Sequence, residues 1–113
     1  MRCAEIIRQY ATAAEAHGEA TDRGDHKATN RAHDQVIRAL RALRKTKEGD
    51  RALLPLLKHT SAHVRTWAAT HLLPFEEEQA VAVLESVGRG RGFTAFDARM
   101  TLQLWKKGEL KLP

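Results

Sequence analysis

Apolar residues recur every three or four positions along nearly the whole chain, and no stretch alternates apolar and polar residues with the period of a strand. The densest stretch is LLPLLKHTSAHVRTWAATHLL, residues 53–73. There two short apolar segments flank a polar turn, and the second is apolar round most of its circumference. At about 100° per residue, Val64, Trp67, Ala68, His71 and Leu72 share one face of a helix, while Ala69 and Leu73 lie towards the other side. Such a helix predicts a central position with neighbours on several sides.

The flanking sequence supplies those neighbours. Residues 2–19 predict an amphipathic helix with Cys3, Ile6, Ile7, Tyr10, Ala13, Ala14 and His17 on one face. Gly18 and the run Thr21–Asp25 predict its end and a turn. Asp25 then caps a second helix over 26–46, with Ala32, Val36, Ala39, Leu40 and Leu43 in its apolar stripe and Gly49 beyond its end. Asp50 caps a short third helix carrying Leu53, Leu54, Leu56 and Leu57, with a kink or early break at Pro55. Ser61 caps the fourth helix, which Leu73-Pro74 closes. A fifth helix over 75–87 opens with Glu76, Glu77 and Glu78 at its positive dipole end. After the loop Gly88–Gly92, a sixth helix over 94–107 turns Ala95, Ala98, Leu102 and Trp105 inward.

A shift of 30 residues lays the central stretch on the following one: Leu53 meets Val83, Leu54 meets Leu84, Leu57 meets Val87, Ala68 meets Ala98, Leu72 meets Leu102 and Phe75 meets Trp105. Matching apolar positions in two helix pairs predict stacked hairpins, none of which buries its apolar face alone. Residues 53–73 resemble a HEAT repeat, with Leu53, Leu54 and Leu57 in a first helix, a polar turn, then Val64-Arg65 followed by Ala68 and Leu72. With Val-Arg-x-Trp-Ala-Ala and a closing Trp-x-x-Gly at Trp105–Gly108, the whole chain is similar to a family of small bacterial HEAT-like proteins of unknown function. The second repeat departs from the pattern, with Thr94-Ala95 in place of Val-Arg. The resemblance implies an all-α, HEAT-like stack of three antiparallel hairpins, about six helices in one domain. Residues 1–48 form a divergent first hairpin, 50–73 the best-matching repeat, 75–107 the second repeat and 108–113 a tail. It implies a scaffold that presents surfaces to partners, and it carries over no catalytic residue.

Composition adds little to this until charge is considered. The 113 residues are 42% hydrophobic and 29% charged, ordinary for a globular domain. No apolar run approaches a membrane span, and Glu5, Arg8 and Gln9 break up any signal-peptide core, so the reading is a cytoplasmic chain. A single cysteine, Cys3, allows no internal disulfide and reads as a small core residue. The net charge of +5 attracts nucleic acid or acidic partners, though basic and acidic residues are interspersed.

The basic residues form one pattern. Lys27, Arg31, Arg38, Arg41 and Lys45 run along the second helix opposite its apolar stripe. They could follow phosphates along a groove. The ordinary reading is a solvated face, with Asp34 three residues after Arg31 and four before Arg38 for helix ion pairs. No aromatic residues interleave with the stripe, which argues against a single-strand stacking platform. Arg89 and Arg91 sit in the glycine loop before the last helix, where backbone N–H groups could hold an anion, but no Gly-Lys-Ser/Thr follows. His59 and His63 have a zinc-like spacing broken by the turn between them, and no further ligands accompany them. Ser61 and Ser86 have cap and surface explanations, and Asp22 and Asp25 sit in a turn with no evident pocket. Arg65, at the start of an apolar helix, predicts a structural ion pair with Asp50 or Asp97. Trp67 and Trp105 have the spacing of core residues rather than of a ligand cage.

The sequence therefore predicts a non-catalytic scaffold without cofactor or metal. Its expected partner is a protein, one concrete form being an immunity or antitoxin-like inhibitor. The alternative is a nucleic-acid-binding module using the basic face of the second helix.

Overall fold

The computed structural model describes residues 2–113, which form six helices and no strand. The fold class is all-α, as the periodicity predicts. α1 spans Cys3–Arg23 and α2 spans His26–Leu43; they pack along each other as the first pair. A 3-10 helix, Gly49–Lys58, follows, then α3 (Ala62–Leu72), α4 (Glu77–Gly88) and α5 (Phe93–Lys106).

α3 is the centre. It touches α1, the 3-10 helix, α4 and α5, and its Val64, Ala68, Ala69 and Leu72 are fully buried. Small residues at 68 and 69 let two neighbours approach from different sides, which is why an apolar arc this wide is satisfied. α2 packs on α1 and the 3-10 helix at the edge of the molecule, leaving its charged side in water. The dimensions of 36 × 32 × 26 Å are those of a rounded body, not an elongated solenoid.

Several boundaries differ from the sequence reading. Gly18 does not end α1 but lies buried inside it, where a Cβ would overlap the His63 ring. It is a close-approach glycine between α1 and the start of α3. Gly24, with φ +72°, ends the helix instead, its N–H reaching the carbonyls of Ala20 and Thr21. Asp25 does cap α2, accepting from the Ala28 N–H at 3.1 Å. α2 stops at Leu43, three residues early, because Thr46 Oγ1 donates to the Leu43 carbonyl and the chain turns there.

The third element differs most. The expected cap Asp50 makes no cap hydrogen bond; its carboxylate, 5% exposed, takes Nε and Nη2 of Arg44 at 2.9 and 3.1 Å. That bidentate pair ties the end of α2 to the 3-10 helix. Nor does the helix break at Pro55, which sits within the ten-residue 3-10 run. Proline has no N–H and so forgoes its own helical hydrogen bond, yet the 3-10 winding continues on both sides of it.

The winding also explains where the thirty-residue repeat holds. Leu57 and Val87, Ala68 and Ala98, and Leu72 and Leu102 are buried pairs. Leu53 is buried where Val83 is half-buried, and Leu54 is half-buried where Leu84 is buried. A helix of three residues per turn cannot keep the angular register of one with 3.6.

Arg65 is likewise reassigned. It pairs with no acid: Nη1 donates to the carbonyls of His59 and Thr60 at 2.7 and 2.9 Å. These carbonyls follow the end of the 3-10 helix and have no helical partner, so Arg65 closes the turn within one repeat rather than joining two. Asp50 is engaged by Arg44, and Asp97 lies elsewhere, on α5. Ser61 caps α3, and its hydroxyl also bonds the Glu15 carboxylate of α1.

Candidate functional site

The predicted basic residues all reach solvent. Lys27, Arg31, Arg38 and Arg41 are exposed along α2, and Lys45 is exposed in the turn that follows it rather than on the helix. Arg38, Arg41 and Lys45 line an open groove of about 910 Å³ with Ile6, Ile37 and Thr46. Arg38 also borders a second groove that includes Arg8 of α1. The expected ion pairs with Asp34 are not formed. Asp34 lies 3.7 Å from His33 Nδ1, and among the described residues no acid stands within 4.0 Å of Arg31, Arg38, Arg41 or Lys45. Long exposed side chains gain too little from such pairing to be held in one geometry. Arg89 and Arg91 are exposed on the loop before α5 and border neither groove.

A second region was not legible as a site. The C-terminal end of α1, the first turns of α3 and the start of α5 enclose a cavity of about 260 Å³. Its lining includes the aromatic rings of Trp67, Phe93 and Phe96, the imidazoles of His17 and His63, and the carboxylates of Asp22 and Asp97. No lysine or arginine lines it. Beside it, Phe93, Phe96 and Met100 stand 65%, 55% and 37% exposed. Their i, i+3, i+7 spacing puts them in a row on α5, away from the buried Ala95, Ala98 and Leu102. That second apolar stripe was present in the sequence, on a helix whose core face was already accounted for.

The cavity rests on a chain of aromatic rings. Trp67 meets His17 edge-on at 5.1 Å between centroids, His33 at 5.8 Å and His71 at 5.5 Å. His71 in turn shares a 2.6 Å hydrogen bond with the Tyr10 hydroxyl in the core. Burial pushes the His71 pKa down to about 4, partly offset by the Asp50 carboxylate, so the ring is neutral at physiological pH. Burial likewise raises Tyr10 well above its ordinary value, with Asp50 adding to it. His17 is lowered by burial and then by the nearby His33 and His63. Asp97 is open to water on one side, yet enough protein crowds its carboxyl to raise its pKa.

His63 makes one hydrogen bond through its ring and faces a carboxylate with the other nitrogen. Nδ1 shares a hydrogen bond with Thr94 Oγ1 at 2.8 Å, and Nε2 lies 3.6 Å from Asp22 Oδ2. Hydroxyl, imidazole and carboxylate thus stand in the order of a hydrolytic triad. The outer distance is too long for a hydrogen bond, and Asp22 is half exposed, so the carboxylate does not fix the ring as a triad requires. His59 is separate, its Nδ1 accepting from the Ser61 N–H at 3.0 Å. Among the described residues no three His, Cys, Asp or Glu side chains gather in a metal-binding group.

Trp67 is half-buried and lines the cavity. Trp105 is half-buried against the core, with Nε1 donating to Glu77 Oε2 of α4 at 2.7 Å. Its repeat counterpart Phe75 is 39% exposed beneath the Arg51 guanidinium, 5.6 Å from the ring centre.

The family model that matches residues 4–105 is described as a domain of unknown function, DUF2019. The chain belongs to that family. Its description names no HEAT repeat. The fold is similar to that in the crystal structure of the protein RPA1889 from Rhodopseudomonas palustris CGA009, with a TM-score of 0.89 and 23% sequence identity over 100% of this chain and 95% of that one. At that identity the likeness speaks to fold alone. A comparison with curated proteins finds no match. No helix among the described residues is long and apolar enough to cross a membrane.

Proposed function

We propose that this protein is a non-catalytic binding module whose partner is another protein, docked on α5 and the mouth of the neighbouring cavity. The observation that carries this reading is the row Phe93, Phe96 and Met100, exposed beside a cavity walled by Trp67. Single exposed apolar residues are ordinary, but a contiguous aromatic patch next to a concavity has the composition of an interface core. The HEAT-like pattern of residues 53–73 points the same way, since such scaffolds present surfaces to partners. An immunity or antitoxin-like inhibitor is one concrete form of this function.

The test is to isolate the complex from source cells by crosslinking, purify the partner and measure its binding by calorimetry. Phe96→Ser should weaken binding at least about tenfold while leaving the melting temperature unchanged. Equal binding by the variant sinks the reading.

A second reading has its own observation. Among the described residues no acid stands within 4.0 Å of Arg31, Arg38, Arg41 or Lys45, although Asp34 borders the same groove. Duplex nucleic acid lying in the groove of Arg38, Arg41 and Lys45 would use that charge.

A further inference from the structure

We propose that the cavity between α1, α3 and α5 is a receptor for one cationic side chain, a lysine or arginine, of the docked protein. This rests on the protein-docking reading and names the chemistry that the docked segment must carry.

Three features of the cavity select that occupant. The first is charge. In a chain of net charge +5, this lining holds two carboxylates, Asp22 and Asp97, and no lysine or arginine. Beyond the His63 Nε2 that lies 3.6 Å from Asp22, an apolar residue would offer those carboxylates no partner, and an anion would be repelled by them. The second is the wall. Trp67, Phe93 and Phe96 present aromatic rings to the same space, and a cation is drawn to the face of such rings. The third is size. At about 260 Å³ the cavity is smaller than the roughly 300–1,000 Å³ that drug-sized ligands occupy. One long side chain fits within it, its methylenes against the rings and its charge near the carboxylates.

The histidines fit the same occupant. His63 is held by Thr94 and faces Asp22, and burial favours the uncharged form of His17. Gly18 keeps the space open, because any side chain there would press His63 out of its place. The exposed Phe96 and Met100 then meet apolar residues flanking the cation, so the partner's segment pairs a lysine or arginine with an apolar neighbour.

The experiment uses the full chain, labelled with ¹⁵N, titrated with n-butylammonium chloride and separately with the neutral 1-pentanol. Saturable shifts of the Trp67 indole and the Thr94 and Phe96 amides are expected with the ammonium, and binding about tenfold weaker with the alcohol. Asp22→Asn with Asp97→Asn should remove that preference without changing the helical circular dichroism. Equal binding of the two probes, or no saturable shift with the ammonium, overturns the proposal. With the purified partner in hand, the same double variant should weaken the complex at least about tenfold. A complex lost on Phe96→Ser but indifferent to both Asn changes leaves protein docking standing and overturns the cation receptor. A cavity that takes n-butylammonium while Phe96→Ser spares every protein complex overturns both. A dimer in sedimentation that Phe96→Ser dissolves would put a second copy of this chain on the face, and would also overturn the proposal.

Discussion

The groove along α2 and the cavity beside α5 are built in opposite ways. The groove is a surface feature: Arg38 and Arg41 extend from one edge helix and Lys45 from the turn after it, all three exposed. The cavity is braced from below. Trp67 in its lining packs against His71, which is hydrogen-bonded to Tyr10 in the core, and the place of His63 beside it needs the missing side chain of Gly18. A surface of the first kind can change its charge without cost to the fold. One of the second kind couples binding geometry to stability, so its residues are constrained even where they reach water.

The largest expected effect tests that bracing through pH. His71 titrates near 4 in the fold and near its ordinary 6.5 when unfolded. Above pH 6.5 the ring is neutral in both states and adds no penalty. As pH falls from 6.5 towards 4 the unfolded chain takes up the proton first, so stability declines. Below about 4 both states are protonated and the loss is complete. Its ceiling is about 3 kcal/mol, and the lowered pKa of His17 adds a loss of the same sign. Urea unfolding at pH 7 and pH 4.5 should show it, and His71→Asn should flatten the slope between them. A slope unchanged in that variant would mean that the ring is not buried neutral.

Closing the space at Gly18 should come next. Gly18→Ala gains up to about 1 kcal/mol as a helix-interior change but must displace His63 and break its bond to Thr94. A net loss of about 1–2 kcal/mol is expected, with the Thr94 amide resonance shifted. A stabilised variant would show that α1 and α3 are not held at this distance.

Loss of the Trp105 hydrogen bond to Glu77 is a smaller effect. The acceptor Glu77 is exposed and Trp105 only half-buried, so Trp105→Phe, which keeps an aromatic ring, should cost less than about 1 kcal/mol, against the 3–5 kcal/mol of a fully buried aromatic cavity.

The smallest effect on stability falls on α2. Changing Arg31, Arg38 and Arg41 to Gln should move unfolding by less than about 0.5 kcal/mol, because none has an acidic partner and glutamine is a comparable helix former. If the groove holds duplex DNA, the same change flattens the dependence of log K on log salt by about 0.9 for each phosphate that is no longer neutralised. A loss of stability above about 1 kcal/mol would erase the contrast between the two regions.

The sequence alone determined the class of the fold and most of its core. Three- and four-residue spacing places Ile6, Tyr10, Ala13, Val36, Leu40, Leu43, Val64, Ala68 and Leu72 inside, and all are buried. Asp25, Ser61 and Leu73-Pro74 likewise set helix ends that the structure keeps, because caps and proline act through the nearest few residues. Only tertiary structure decided which polar groups meet. Arg44 with Asp50, Arg65 with two carbonyls, and His63 with Thr94 and Asp22 depend on chain directions that periodicity does not encode. Gly18 shows the difference within one residue. Read locally, a glycine after a long run of helical positions is a stop; in the folded chain the helix continues, because the absent side chain is what lets α1 approach His63. The cavity follows from that approach, so its walls, drawn from three separate helices, were spelled out in the chain but assembled only by packing.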